Sequence, residues 1–382
     1  MVFFMKVLLT DAESRKGFDV INIFRYLHKR PSILAASKDF GVKLGLIYGQ
    51  KVFPCRISDY GLFEKDLIEM LSVVPDDRIV FVPVSEKGTR HFYHYVQKFG
   101  DGPFNYLLPE YDLFQLVSDK YSFQVWCENE GLPVPRSFSR NNIGALKEQF
   151  MPVLAKPRKG EGSVGIIHID RVEDLNKLES LDLDGYVIQE KIPNGDRIEG
   201  AFFLCKDGEV VSSYTHRRIR TFPEVGGVTV CSASENNEEI ISIGREVLKR
   251  INWQGFAMIE FLYCTRSNEW KIIELNPRLW GSVLLSAFNG SNMLENYVRL
   301  CEGEELAEPK LKNPAFIRWL FPFECINLLK GKISLGTFFN VKRLPVCYIN
   351  ITYASAWQAF TFFLYFLFNF SSINRFIKKL KG

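Results

Sequence analysis

No two cysteines in this sequence lie close enough to staple a small domain or chelate a metal. All eight are scattered, and the nearest two, Cys325 and Cys347, stand 22 positions apart. A disulfide framework and a zinc module are both unexpected, and reduced thiols fit a cytoplasmic chain. Histidine is scarce too: there are five, and the one local pair, His91 and His94, has no third ligand nearby. At the start, MVFFMKVLLTD carries Lys6 inside its apolar run and meets Asp11 at once. Secretion by a standard signal is therefore not expected. Acidic residues almost vanish after Pro309: residues 309–382 hold 11 Lys+Arg against one acid, while residues 1–308 hold 37 against 43. An acidic body joined to a basic end implies that the end meets an anionic surface, either nucleic acid or membrane.

What is present suits a globular chain of two or three domains, with 382 residues of which 47% are hydrophobic and 24% charged. Short apolar runs at KVLLT (6–10), GLIY (45–48) and IVFV (79–82) read as buried strands. Amphipathic stretches at Asp19–His28 and Phe63–Leu71 lie between them, which predicts an open, mainly parallel α/β layer over residues 1–113. Asp119-Lys120 opens a helical run to Glu130, and Gly131-Leu-Pro-Val-Pro135 stops it. Residues 151–300 read as strands and hairpins with few helices. Domain boundaries are expected at 1–113, 114–304 and 305–382.

Two constellations carry chemistry. Lys156 precedes Gly160-Glu-Gly162-Ser163-Val-Gly165, but the following VGIIHI continues as a strand rather than opening a helix. The glycines therefore form a hairpin tip whose bare backbone can approach phosphates, not a dinucleotide fingerprint. Farther on, a hairpin centred on Ser267 would set Glu260 opposite Glu274, with Asn276 on the same face as Glu274. Opposed carboxylates repel unless something positive lies between them. Three oxygen ligands without His or Cys specify a hard cation, Mg²⁺ or Mn²⁺. Two further segments are weaker: the strand-to-turn hinge Gln189-Glu190-Lys191-Ile192 leading to Asp196, and a strand placing His216, Arg218 and Arg220 on one face, where arginines suit carboxylate or phosphate oxygens.

In their order along the chain, these segments resemble the ATP-grasp superfamily, in its carbamoyl-phosphate-synthase-like branch of carboxylate–amine ligases. The resemblance covers residues 114–300 by specific motifs and residues 6–113 more loosely. It implies an α/β (α+β grasp) architecture: an N-terminal open α/β domain, an ATP-grasp domain with a glycine-loop lid, and a C-terminal aromatic and basic helical tail. It also implies that Lys120 and Lys156 hold the phosphates of ATP and that Gly160, Gly162, Ser163 and Gly165 form the lid. Glu190, Lys191 and Ile192 would line the adenine edge, with Asp196 or Glu199 at the ribose. Glu260, Glu274 and Asn276 would ligate two Mg²⁺ (or Mn²⁺), and Arg278 would face the transferring phosphate or the substrate carboxylate, with Arg218 and Arg220 of the arginine strand as further catalytic candidates. The expected activity joins a carboxylate to an amine through an acyl phosphate. A carboxylase or kinase-like use of the same scaffold and a catalytically silent nucleotide-binding protein are the alternatives.

The basic end settles its partner by segregation. Between Arg343 and Arg375 lie 31 uncharged residues, including Trp357–Phe370 with six Phe, a Trp and a Tyr, before Lys378, Lys379 and Lys381. Nucleic-acid surfaces interleave basic and aromatic residues, so no nucleic-acid partner is expected. Three expectations stand: a terminal helix packed on the body, a helix lying peripherally on the inner membrane face, or a spanning helix, for which the block is short.

Overall fold

The computed structural model describes residues 6–27, 33–36, 51–74, 78–138, 151–160, 165–178, 182–192, 197–222, 228–306, 314–320, 324–339, 347–349 and 360. The GLIY segment, Gly162, Ser163, Asp196 and all of Trp357–Phe370 except Phe360 lie outside the described residues.

The chain opens as an α/β layer: β1 (Lys6–Leu9), α1 (Arg15–Tyr26), β2 (Ile33–Ala36), β3 (Val52–Pro54), α2 (Tyr60–Val73), β4 (Ile79–Val82), α3 (Glu86–Phe99) and β5 (Phe104–Asn105). All pairs in this sheet are parallel, and the order is β3-β2-β1-β4-β5. Both expected strands within the described residues are present, and each is an apolar run because helices cover both faces of the sheet. Ser14, Asp59 and Ser85 cap α1, α2 and α3 by accepting from amides of the first turn.

A helical pair follows, α4 (Tyr111–Ser118) and α5 (Lys120–Asn129), with Asp119 capping α5 through Oδ1 to the amides of Tyr121 and Ser122. Gly131 ends the run at φ +68°, the left-handed geometry that glycine adopts without strain. Next comes a four-stranded antiparallel sheet, β6-β9-β7-β8, built from β6 (Ser137–Phe138), β7 (Val153–Pro157), β8 (Ile167–Ile169) and β9 (Tyr186–Glu190).

The largest layer is a seven-stranded sheet in the order β14-β13-β10-β11-β12-β15-β16. Its members are β10 (Ile198–Lys206), β11 (Glu209–Phe222), β12 (Val228–Glu235), β13 (Gly255–Cys264), β14 (Glu269–Asn276), β15 (Phe316–Arg318) and β16 (Cys347–Ile349). The helices α6 (Glu238–Arg250), α7 (Leu285–Phe288) and α8 (Met293–Cys301) pack beside it, and α9 (Cys325–Leu329) and α10 (Leu335–Phe339) follow β15. The described part of 305–382 thus holds, besides two short helices, two strands that extend the central sheet.

One core joins these layers. Val7, Phe18 and Phe24 of the first layer share a buried cluster with Phe202, Trp280, Tyr297 and Trp319. A second cluster lies on the other face of the large sheet, where α6 packs its Ile240, Ile241, Val247 and Leu248 against Phe203, Phe261 and Trp270. Among the described residues no helix is long and apolar enough to cross a membrane.

Candidate functional site

β7 and β8 form the expected hairpin, with Val153 opposite Ile169. Gly160 and Gly165 flank its tip at φ +122° and +82°, values that a side chain would strain. Lys156, on β7, is 6% exposed and crosses to the large sheet, where its Nζ donates to the carbonyl of Ile273 at 3.3 Å. Burial pulls its pKa down to about 8, partly countered by Glu274. Lys120, first residue of α5, donates from Nζ to the Gly160 carbonyl at 2.8 Å and lies 3.5 Å from Oε2 of Glu274. Asp119 also pairs with Arg158 at 2.8 Å, and the Lys120 amide donates to the Arg158 carbonyl. Sequence reasoning missed this clamp between helix and hairpin. An acid beside the helix-opening lysine, facing an arginine just after Lys156, was the available signal.

On the large sheet, Glu260 and Glu274 are register partners, as expected, but not through a regular hairpin. From Cys264↔Glu269 to Phe261↔Ile272 the strands pair around a shorter turn, and a bulge at Ile273 then shifts the register by one residue. A bulge inserts one unpaired residue and restores pairing beyond it. Without it Glu260 would face Ile273. The same residue offers Lys156 its carbonyl.

Cations surround the two carboxylates. Arg218 reaches Glu260 Oε1 from Nη2 at 2.6 Å. Asn276 donates from Nδ2 to Glu274 Oε1 at 2.9 Å and accepts from Arg278 Nη2 at 2.8 Å. Arg278 is 7% exposed. Burial raises the Glu260 carboxyl above its ordinary value, with Arg218 only partly offsetting it. Burial acts on Glu274 as well, but there Lys120, the Asn276 amide and Lys156 outweigh it and hold the group low. Two carboxylates and an amide oxygen side by side, ringed by Lys120, Lys156, Arg218 and Arg278, are a donor set that fits a hard cation carrying phosphate oxygens.

The arginine strand divides. His216 is buried, with Nδ1 2.9 Å from Ser282 Oγ, and burial pushes its pKa down to about 3. The β11–β12 register is irregular on either side of Arg220. Arg220 pairs with buried Glu324 at 2.9 Å, and Arg318 holds the same carboxylate at 2.7 Å. The structure therefore brings Arg218 to the carboxylate pair and holds Arg220 against the C-terminal region. The hinge is pinned by its neighbours: the Glu190 amide donates to Arg136, the Lys191 amide to Pro152, and Lys191 Nζ lies 2.8 Å from Asp170. Ile192 is buried. Glu199, considered for the ribose, is fully buried between Arg197 and Asn237 at 2.9 and 2.8 Å.

Residues 117–282 match the family model of the ATP-grasp domain. The D-aspartate ligase of Enterococcus faecium (strain Aus0004) is 25% identical over 215 residues, 48% of this chain and 49% of that protein. The chain thus spans about half the length of that curated relative. Among solved structures, the biotin carboxylase domain of Hydrogenobacter thermophilus 2-oxoglutarate carboxylase, in complex with MgADP, ADP and bicarbonate, superposes with a TM-score of 0.65 at 15% identity, covering 82% of this chain and 74% of that one. N5-carboxyaminoimidazole ribonucleotide synthetase from Thermus thermophilus gives a TM-score of 0.58 at 15% identity, covering 80% and 81%. Motif order, sheet layout and family match coincide on the same stretch, residues 117–282, which match the ATP-grasp domain.

Proposed function

We propose that the protein is an ATP-dependent ligase joining a small-molecule carboxylate to an amine, with release of ADP and phosphate. The observation that carries this reading is the opposed pair Glu260–Glu274, with Asn276 beside it and four cations around it. Phosphoryl transfer needs positioning and charge neutralisation more than a protein nucleophile, and this site is built of little else. The substrate carboxylate oxygen attacks the γ-phosphorus, the bond to the β-phosphate oxygen breaks, and ADP leaves. The amine then attacks the acyl carbon, and phosphate departs as the amide forms. Lys120 and Lys156 grip phosphates from the helix and the hairpin, and Gly160, Gly162, Ser163 and Gly165 close over them to exclude water from the acyl phosphate. Glu190, Lys191 and Ile192 border the adenine, with Asp196 at the ribose. Arg278 and Arg218 orient the carboxylate and its phosphoryl group. Arg220 joins them only by leaving Glu324. Two Mg²⁺ (or Mn²⁺) ions held by Glu260, Glu274 and Asn276 would supply charge neutralisation to the phosphates. The relation to D-aspartate ligase supports amide formation.

An ADP-release screen pairing amino acids and sugar acids with amines, followed by mass spectrometry, tests this. A product equal in mass to acid plus amine less water, formed one-for-one with ADP, is the expected result. Release that depends on bicarbonate alone would replace the ligase with a carboxylase, and no release with any pair would favour a silent nucleotide-binding protein.

A second observation concerns place. Leu329 and Leu335 are 85% and 65% exposed beside exposed Lys330 and Lys332, in the region carrying the basic excess. This supports a cytoplasmic enzyme resting peripherally on the anionic inner face of a membrane. Truncation before Ala354, combined with Leu329→Ser and Leu335→Ser, is expected to release the protein from anionic liposomes while ATP binding survives. Retention of the truncated protein would count against the tail as anchor.

A further inference from the structure

Two cations occupy the neighbourhood where a metal ion would bind, and they are held differently. Lys120 has a second anchor in the Gly160 carbonyl. For Arg218, Glu260 is the one hydrogen-bond partner among the described residues, and its Nε is buried without any. The ion pair also spans an unusual distance across the sheet. Arg218 is on β11 and Glu260 on β13, with β10 between them. Gly200 of β10 pairs with both His216 and Glu260, so β10 itself puts no side chain between them. A Cβ there would stand 2.9 Å from Phe202 Cζ and 3.2 Å from His216 Nε2. The rings of Phe202 and His216 take the space over Gly200, and Arg218, two residues beyond His216 on β11, still reaches Glu260 across β10.

We propose that Arg218 and the divalent cation compete for Glu260, so that Arg218 grips the anionic substrate only after the cation has displaced it. The proposal rests on Glu260 being a cation ligand, as argued above. A guanidinium 2.6 Å from Oε1 and a divalent ion coordinating the same carboxylate repel each other. Displaced, Arg218 presents both Nη2 and the unpartnered Nε, the two parallel donors of a side-on fork that fits a carboxylate or a phosphoryl group. Binding is then ordered by the chain itself, cation and nucleotide first and carboxylate second. Linkage requires the converse, that losing Arg218 tightens cation binding.

Mn²⁺ titration of the full chain, followed by electron paramagnetic resonance of the free ion, reads this directly. Arg218→Met is expected to bind Mn²⁺ about fivefold or more tightly than the wild type, within the usual range of coupling between sites. Arg278→Met removes an equal charge that is held by Asn276 instead of Glu260, and is expected to change affinity less. Phenylglyoxal labelling read by peptide mapping gives a second measure. Arg218 is expected to be protected in the metal-free wild type, labelled once Mg²⁺ is added, and labelled without metal in Glu260→Gln. Unchanged or weaker Mn²⁺ binding by Arg218→Met overturns the competition while leaving the cation site in place. Equal labelling of Arg218 with and without Mg²⁺ overturns it as well. No Mn²⁺ binding by the wild type overturns both this proposal and the cation reading beneath it.

Discussion

Glu274 and Asn276 stand two apart on one strand and touch each other, and neither belongs to a core cluster. Their substitution should therefore separate chemistry from folding. Glu274→Gln and Asn276→Ala are each expected to slow ADP release by about a hundredfold or more, the loss seen when one preorganised electrostatic group is removed, with little change in melting temperature. A wild-type rate in millimolar Mg²⁺ for either variant would take that residue out of the site. Lys156 makes a prediction about pH. Its pKa of about 8 lies below the ordinary lysine value, so nucleotide affinity should hold below pH 8 and decline above it. Lys156→Arg should flatten that profile, because arginine keeps its charge. Stability should run the other way for the same residue. A lysine that folding makes less basic contributes stability that grows as pH rises from about 8 toward the unfolded value. Calorimetric ATP titrations at pH 7 and 9 check the first trend, and affinity that does not change between them would remove Lys156 from the phosphate grip.

At the scale of elements, α1 is the joint among three parts of the chain. Arg15 donates from Nη2 to the carbonyls of Thr229 and Gly281 and lies 4.4 Å over the Trp319 ring. One turn on, fully buried Asp19 accepts from the Trp319 indole at 2.9 Å, while its Oδ1 has no partner. Burial pushes the Asp19 pKa up to about 7, with Arg15 and the indole only partly restraining it. An acid raised on folding contributes stability that is full below its unfolded pKa and lost as pH rises through its folded one. Stability should thus fall between about pH 4 and 7, by on the order of 4 kcal/mol for a shift of about three units. Asp19→Asn should abolish most of that slope, as urea unfolding at pH 5 and pH 8 would report, and an unaltered slope would place the titrating group elsewhere. None of this could be read from the sequence, where Asp19 looks like an ordinary polar position on an amphipathic helix. Period-2 and helical patterning did reveal β1, β4, α2 and the end of α5, since each depends on neighbours within a few residues. It also paired Glu260 with Glu274, although the bulge at Ile273, and not the turn, makes the pairing true. Nothing local marks Ile273 as the extra residue. Nor does the run from His216 to Arg220 announce that the register on both sides of Arg220 is irregular and that Glu324, more than a hundred positions on, is its partner.

For the molecule as a whole, the first layer and the grasp share one buried core. Gly255 opens β13 at φ +78°, and a Cβ there would lie 2.1 Å from the Leu107 carbonyl oxygen, while the Leu107 amide donates to the Tyr297 hydroxyl. Gly255→Ala meets both a left-handed backbone and a backbone atom that cannot step aside. A loss of about 3 kcal/mol or more is expected, seen as a lower midpoint for the entire chain in a single thermal transition. A first transition confined to one layer would show instead that the layers unfold independently. Phe18, Trp280 and Trp319 come from distant parts of the sequence and fill one core, and that sharing bears on recombination between relatives. Crossing two homologous genes between the first layer and the grasp would bring together half-cores that never packed against one another. Surviving chimaeras should instead inherit both sides of the seam from a single parent and exchange the surface segments that the shared core does not include.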